Sequence, residues 1–446
     1  MARGKYNPFI ITTKIESLNE RGYGIGSHND VPVYILDSLP GEEMQVKVYA
    51  RKKGVFWGEK VEVTAPAKFR VEPKESHFLS CSPWQIVAWP QENEYKEDLI
   101  KRFYSEEKLT LPEFSVINDE NEYGYRNKEE FAFYGHDDEH VTFAVHQRGS
   151  NFHKDPIDSC ILAPDLVNDA GKIILKFIND QKIQARQLKG IQLRYSFSEK
   201  KVIVIIFVKD VALSDKFSQE NLQLLLDQEK NISGILVFHS DMRSPAFIET
   251  AAITSIGETY LTEKVLNLSL LYAHNGFFQI NPPMFEHALK DIVDYITKIK
   301  DVKNLTAADI YAGVGTIGLA IADKVKNVIG VELTPRTQEY ALKNADKNKI
   351  TNFEFYEGSA EKIGLDYLAN CDILVLDPPR AGVHPKIAEK ITETKPKFVV
   401  YLSCNPKTQA QDVAKFIKYY NVKFFSAYNF YPHTPHVESL MILERK

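Results

Sequence analysis

DIYAGVGTIGL, Asp309 to Leu319, decides how the C-terminal part of this chain folds. An apolar, strand-like start runs into Gly313-x-Gly315-x-x-Gly318, and helix-forming apolar residues follow. Strand, glycine turn and helix in that order make a nucleotide-binding fingerprint, because glycine permits both the tight turn and close approach of a ligand to the backbone. Glu332 ends the next apolar run, VIGVE, 23 residues after Asp309, where an acid meets ribose hydroxyls.

Outward from that loop, strand patterns recur at NLTAADIY, NVIGVEL, NFEFYEG, CDILVLD and KFVVYLS, mostly with helical stretches between them. A helix over 284–300, capped by Asn281-Pro282-Pro283, places Phe285, Leu289, Ile292, Ile296 and Ile299 on one face. Such alternation predicts an α/β unit over 271–446 with a doubly wound parallel sheet, whose ligands sit at the carboxyl ends of the strands. Residues 67–270 mix strands (129–135, 140–147, 201–209) with helices (93–108, 164–181, 217–229) and read as an α+β central domain. Residues 1–66 show short period-two strands and glycine turns, the pattern of a small OB-like β-barrel. There Arg51, Lys52 and Lys53 adjoin Phe56 and Trp57, either a surface that tracks phosphates and stacks on bases or a solvated hairpin tip over core aromatics.

A chain of 446 residues exceeds one ordinary core and agrees with several domains. The longest apolar run, VIVIIFV at 202–208, is far short of a membrane span and suits a buried strand. The start lacks the layout of a signal peptide, so a cytoplasmic protein without membrane association is expected. Four scattered cysteines, at 81, 160, 371 and 404, exclude a disulfide framework and contain no CxxC pair. The net charge of −5 gives no general affinity for nucleic acid, but residues 1–70 carry 11 basic and 8 acidic side chains, a net of +3 that leaves −8 elsewhere.

Two ligands suit the glycine loop, a nicotinamide dinucleotide or S-adenosylmethionine. A dehydrogenase needs a hydride-transfer site, and none is plain downstream. A methyltransferase needs an acceptor site at the end of the fourth strand, where ILVLDPPRAG (373–382) sets Asp377 before two prolines that fix φ and donate no hydrogen bond. VVYLSCNP (399–406) then ends the fifth strand at Cys404. Free cysteine is usually a small buried hydrophobe, but a cysteine beside a methyl donor has a specific use. Carbon 5 of uracil becomes nucleophilic only after something adds to carbon 6, and a base must later remove the carbon 5 proton. In YPHTPHVESLMIL (431–443), Glu438, His433 and His436 are all available as that base.

FFQIN (277–281), DIYAGVGTIGL, GVE, DPPRAG, LSCNP and HVESL, with YRNK (125–128) and the GS…D.C stretch (149–160), resemble the RNA uracil-5-methyltransferases that make 5-methyluridine in ribosomal or transfer RNA. The resemblance implies a Rossmann-like class I methyltransferase domain, an N-terminal TRAM barrel that binds RNA and a central domain that also does. It implies Cys404 as nucleophile and Glu438 as base, with Gln279, Tyr311, Gly313, Gly315, Thr316, Glu332, Asp377 and Ser359, which stands where members often have Asp or Asn, at S-adenosylmethionine. Several members bind an iron–sulfur cluster through four cysteines of the middle domain; only Cys81 and Cys160 stand in that region here, so no cluster is expected. The barrel favours 23S ribosomal RNA as the partner over the T-loop uridine of tRNA, and no obligate protein partner is implied. An NAD(P)-dependent oxidoreductase with a structural Cys404, and a silent RNA-binding factor, are the readings of other classes.

Overall fold

The computed structural model describes residues 7–135, 140–148, 153–241, 243–244 and 247–446; Gly149 and Ser150 of the GS…D.C stretch lie outside them. The N-terminal strands form a six-stranded sheet from Phe9–Lys14 to Val55–Ala65, wrapped about Ile11, Ile15, Val33, Ile35, Met44, Val46 and Val48. At its hairpin tip Arg51, Lys52 and Lys53 are exposed, and the Arg51 guanidinium stands 5.2 Å over the Phe56 ring. Trp57 is half-buried, set edge-on to both Tyr23 and Tyr34.

A seven-stranded sheet lies over residues 128–257, with helices Asp165–Asp180 and Gln219–Gln228 on one face. The apolar run at 202–208 explains how this sheet meets its neighbour. Val202, Val204, Ile206 and Val208 face those helices, whereas Ile203, Ile205 and Phe207 enter the core that also holds Phe285, Leu289 and Ile292. A strand buried on both faces needs no polar alternation. The long helix after FFQIN is Pro282–Thr297, with Asn281 accepting from the Met284 amide at its N-cap.

The C-terminal sheet has the order Phe353–Glu357, Asn327–Glu332, Thr306–Ile310, Ile373–Leu376, Phe398–Ser403, Glu438–Arg445, Tyr420–Tyr428 and Val116–Ile117. The first five strands are parallel as the alternation predicts, and the order reverses between Thr306–Ile310 and Ile373–Leu376, the switch point where such sheets bind ligands. The sheet is not parallel throughout. Glu438–Arg445 inserts antiparallel between Phe398–Ser403 and Tyr420–Tyr428, a hairpin-like return that strand–helix alternation does not announce. Helix Trp89–Glu106 and strand Val116–Ile117, within the stretch read as central, also belong to this body: Ile100, Tyr104 and Val116 share its core with Tyr401, Ala410 and Val413. Among the described residues no helix is long and apolar enough to cross a membrane.

Candidate active site

Strand Thr306–Ile310 ends in a loop that turns by left-handed backbone, with Tyr311 at φ 74°, Gly313 at 54° and Gly315 at 84°. A β-carbon on Gly315 would approach the Phe353 ring to 2.9 Å, whereas one on Gly313 would fill open space at the cavity wall, so that glycine leaves a cradle beside bare backbone. Two acids hold the loop. Asp309 accepts from the Gly318 amide at 2.8 Å, and Glu332 accepts from the Gly313 amide at 3.2 Å and from the Thr334 amide and hydroxyl at 2.8 and 2.7 Å.

Across the switch point, Asp377 follows strand Ile373–Leu376 and accepts from Gln279 Nε2 at 2.9 Å. Gln279 is placed by the central sheet: Asn127 donates to the Gln279 carbonyl from Nδ2 and to the Ile280 carbonyl from its amide, both at 2.9 Å. The YRNK stretch thereby ties the central domain to the FFQIN loop. Tyr125 does the same for the opposite rim, donating to the Pro432 carbonyl at 3.0 Å.

Cys404 and Glu438 meet through sheet register. Ser403 pairs with Ser439 in the antiparallel ladder, so Cys404 and Glu438 are the first residues beyond that pair on neighbouring strands. Asn405 fixes the Cys404 loop to the Asp-Pro-Pro loop by donating Nδ2 to the Arg380 carbonyl at 2.9 Å, and Pro406 opens the helix Pro406–Phe416. One cavity of about 550 Å³ joins these parts, a size typical of small-molecule sites, roughly 300–1,000 Å³. Gln279, Tyr311, Gly313, Thr316, Glu332, Asp377, Cys404 and Glu438 all line it. Gly315 and Ser359 do not; Gly315 shapes the turn from behind, and Ser359 is buried one residue before Ala360 and Glu361, which reach the wall.

The electrostatics are unusual for so many acids. Burial pushes the Cys404 thiol up to about 12, and Glu438 and Asp377 add to the effect while Arg380 opposes it. Both oxygens of Glu438 are buried without a hydrogen bond, and burial followed by Asp377 raises its carboxyl well above the usual range. Asp377 is pushed up to about 7 by burial and then by Asp309, and Asp309 likewise to about 7 by burial, with Glu332 adding to it. The two histidines are used elsewhere. His433 stacks on Tyr123 at 4.5 Å and is held down to about 4 by burial; His436 takes the Arg380 guanidinium on Nδ1 at 2.8 Å and is held down to about 3, again by burial first. Neither lines the cavity.

Several residues on this site carry no signal of a role in the sequence. Among the described residues Arg380, within the DPPRAG stretch, is the one cation that lines the cavity. Tyr431, Leu333 and Thr334 complete the wall with nothing but strand-end positions to mark them. Behind the rim lies a buried pair: Lys96 and Glu92, both 0% exposed, form an ion pair at 2.5 Å and hold residues 429–433 through Asn429 Oδ1, the Tyr431 carbonyl and the His433 amide.

A glycine loop before a helix, an acid on the second strand, an acceptor acid on the fourth and an antiparallel seventh strand define a class I methyltransferase fold. The comparisons are specific beyond that class. The family model described as tRNA (uracil-5-)-methyltransferase matches residues 90–446, and the chain belongs to that family. It is therefore an RNA uracil-5-methyltransferase by family, an enzyme of the S-adenosylmethionine-dependent kind. An uncharacterised RNA methyltransferase of Caldanaerobacter subterraneus subsp. tengcongensis is 30% identical across 100% of both chains. One from Prochlorococcus marinus is 30% identical across 91% of this chain and 99% of its own. Among solved structures, the Pyrococcus abyssi tRNA (uracil-54, C5)-methyltransferase in complex with S-adenosyl-L-homocysteine shares the fold with a TM-score of 0.77, at 24% identity over 97% of this chain and 99% of that one. The nicotinamide reading is left without support.

Proposed function

We propose that this enzyme methylates carbon 5 of a uridine in folded RNA by way of a covalent bond between Cys404 and carbon 6. The observation that carries it is the opening of Cys404 and Glu438 onto the same cavity as the glycine loop, Glu332 and Asp377. Those residues fit S-adenosylmethionine: Gly313 leaves a cradle of bare backbone, and Glu332, Asp377 and Gln279 would hold the molecule, the two acids suiting its hydroxyls and its positive charge. When bound, that molecule supplies a methyl group on a positively charged sulfur.

The protein's own groups do the rest. The uracil leaves its stack, at a few kcal/mol, to reach the cavity. Burial keeps the resting thiol neutral, so Cys404 gives its proton to water as its sulfur adds to carbon 6 and the ring electrons move to the carbon 4 oxygen as an enolate. Carbon 5 takes the methyl group; Glu438, neutral at rest, first loses its proton to water beside Arg380 and then accepts the carbon 5 proton, and the carbon 6–sulfur bond breaks to return Cys404 as a thiolate that is reprotonated from water. Arg380, which favours the charged forms of both Cys404 and Glu438, is the local cation for this traffic. The exposed Arg51–Lys53 tip and the central sheet supply RNA backbone contacts in this reading.

Large-subunit ribosomal RNA is favoured only by the barrel. The Pyrococcus abyssi tRNA enzyme shares the fold over 97% of this chain, so a barrel of this kind does not separate ribosomal from transfer RNA. The test is transfer of labelled methyl groups to unmodified total RNA, split into ribosomal and transfer fractions and digested to nucleosides. Label in 5-methyluridine from one fraction is expected; label in any other nucleoside, or none in either fraction, rejects the reading.

The acid pair also predicts a pH effect on ligand binding. An acid raised to about 7 ionises as pH climbs through 7, and a cationic ligand binds best beside its ionised form. Dissociation constants for S-adenosylmethionine are expected to fall about tenfold from pH 6 to pH 8, with a smaller change for S-adenosylhomocysteine, whose sulfur carries no charge, and a shallower slope in Asp377→Asn, where Asp309 alone still titrates. Calorimetry showing the same pH slope for both ligands contradicts this.

A further inference from the structure

The short helix Phe78–Cys81 brings together residues that the methyl-transfer chemistry does not use. His77 and Cys81 are four apart and share one face of that turn. Cys160, on the loop after strand Lys154–Ile157, faces them, and Glu75 reaches in from the segment before the helix. One donor atom from each of these four side chains lies within 4.8 Å of the other three. His77 Nε2 is buried with no well-formed hydrogen bond, 3.4 Å from Glu75 Oε2. Donors around a tetrahedral zinc, at ~2.0–2.3 Å from the metal, lie roughly 3.3–3.8 Å from one another, so small side-chain rotations close the set.

The surroundings hold the donors in place. Cys160 is clamped by Asn168, which accepts from its amide at 2.9 Å and donates to its carbonyl at 3.0 Å. Glu75 is oriented by the Ile161 amide at 2.6 Å and by Gln85 at 3.3 Å. Supporting bonds of this kind orient ligands at metal sites.

The donor set does not suit the four-thiolate cluster of some relatives. Two sulfurs, one imidazole and one carboxylate match a single borderline divalent ion, with all four positions filled by protein and none left for water. We infer that Glu75, His77, Cys81 and Cys160 bind one structural zinc-class ion, which staples the segment between barrel and catalytic sheet to the central domain.

The test uses the full-length protein with any affinity tag removed. Mass-spectrometric metal analysis is expected to find close to one zinc per chain, released when the thiols are titrated with a mercurial. Cobalt(II) exchanged into the site should give a thiolate charge-transfer band. His77→Ala should lose zinc to a competing chelator at least tenfold more readily at unchanged circular dichroism, and Cys81→Ala/Cys160→Ala should hold none. Because the double variant risks misfolding, the wild type alone is decisive. Failure to retain or take up zinc, iron with acid-labile sulfide, or a Cys81–Cys160 disulfide without metal each overturns the inference, as does equal zinc in wild type and the double variant. None of these outcomes depends on the methylation reading.

Discussion

Cys404→Ala is expected to cut 5-methyluridine formation by roughly four orders of magnitude or more, about 5.5 kcal/mol in barrier, at nearly unchanged S-adenosylmethionine affinity. The reason is chemical. Without sulfur addition at carbon 6, carbon 5 of a uracil is not nucleophilic, and no other thiol lines the cavity. Affinity is spared because, in the proposed reading, the methyl donor rests on the glycine loop and Glu332 across the switch point and on Asp377, whose hydrogen bonds do not involve the Cys404 side chain. RNA carrying 5-fluorouridine makes the same point without rates: fluorine cannot leave as a proton, so wild type should form an adduct that survives denaturing gels, and Cys404→Ala should form none. Glu438→Gln should accumulate the adduct on ordinary RNA, since addition and methylation precede its step. An adduct that persists in Cys404→Ala removes the nucleophile, and free turnover in Glu438→Gln removes the base.

Lys96→Met is expected to destabilise the C-terminal body by about 3–5 kcal/mol, the cost of stranding a buried carboxylate. Glu92 would lose its ion-pair partner at 0% exposure, and Asn429 Oδ1 and the Tyr431 carbonyl would lose a donor. Burial already raises Glu92 and lowers Lys96, so neither charge is comfortable even when paired. The unfolding transition of this body should shift down by roughly ten degrees in calorimetry. Lys96→Met combined with Glu92→Leu should recover much of the loss, because removing both charges leaves no uncompensated ion. Equal stability of Lys96→Met and wild type would show that the pair holds nothing.

Much of this architecture is legible in the sequence because it obeys local rules. The glycine loop, the second-strand acid and the five parallel strands all follow from short-range pattern, and Pro282–Thr297 announces itself by cap and period. What escaped is long-range. The antiparallel insertion of Glu438–Arg445 depends on which strand pairs with which, and a run such as ESLMILER carries no label for its neighbours. That pairing is also what separates Glu438 from His433 and His436: all three sit within a few residues, and only the fold turns one into the cavity. Lys96 and Glu92 look like an ordinary solvated i,i+4 pair until Asn429 and residues 431–433 cover them. Likewise Cys81 and Cys160, 79 residues apart, become neighbours only once the central sheet is closed.

The Ser403–Ser439 register pair sets the spacing of Cys404 and Glu438 across the sheet, whatever the length of chain that joins the two strands. A longer helix between the strands would leave the separation of these two side chains unchanged, whereas a slip of one residue in the ladder would turn one of them to the opposite face. In the proposed reading the chemistry rests on the ladder, and a change of target RNA would fall to the loops and appended domains around it.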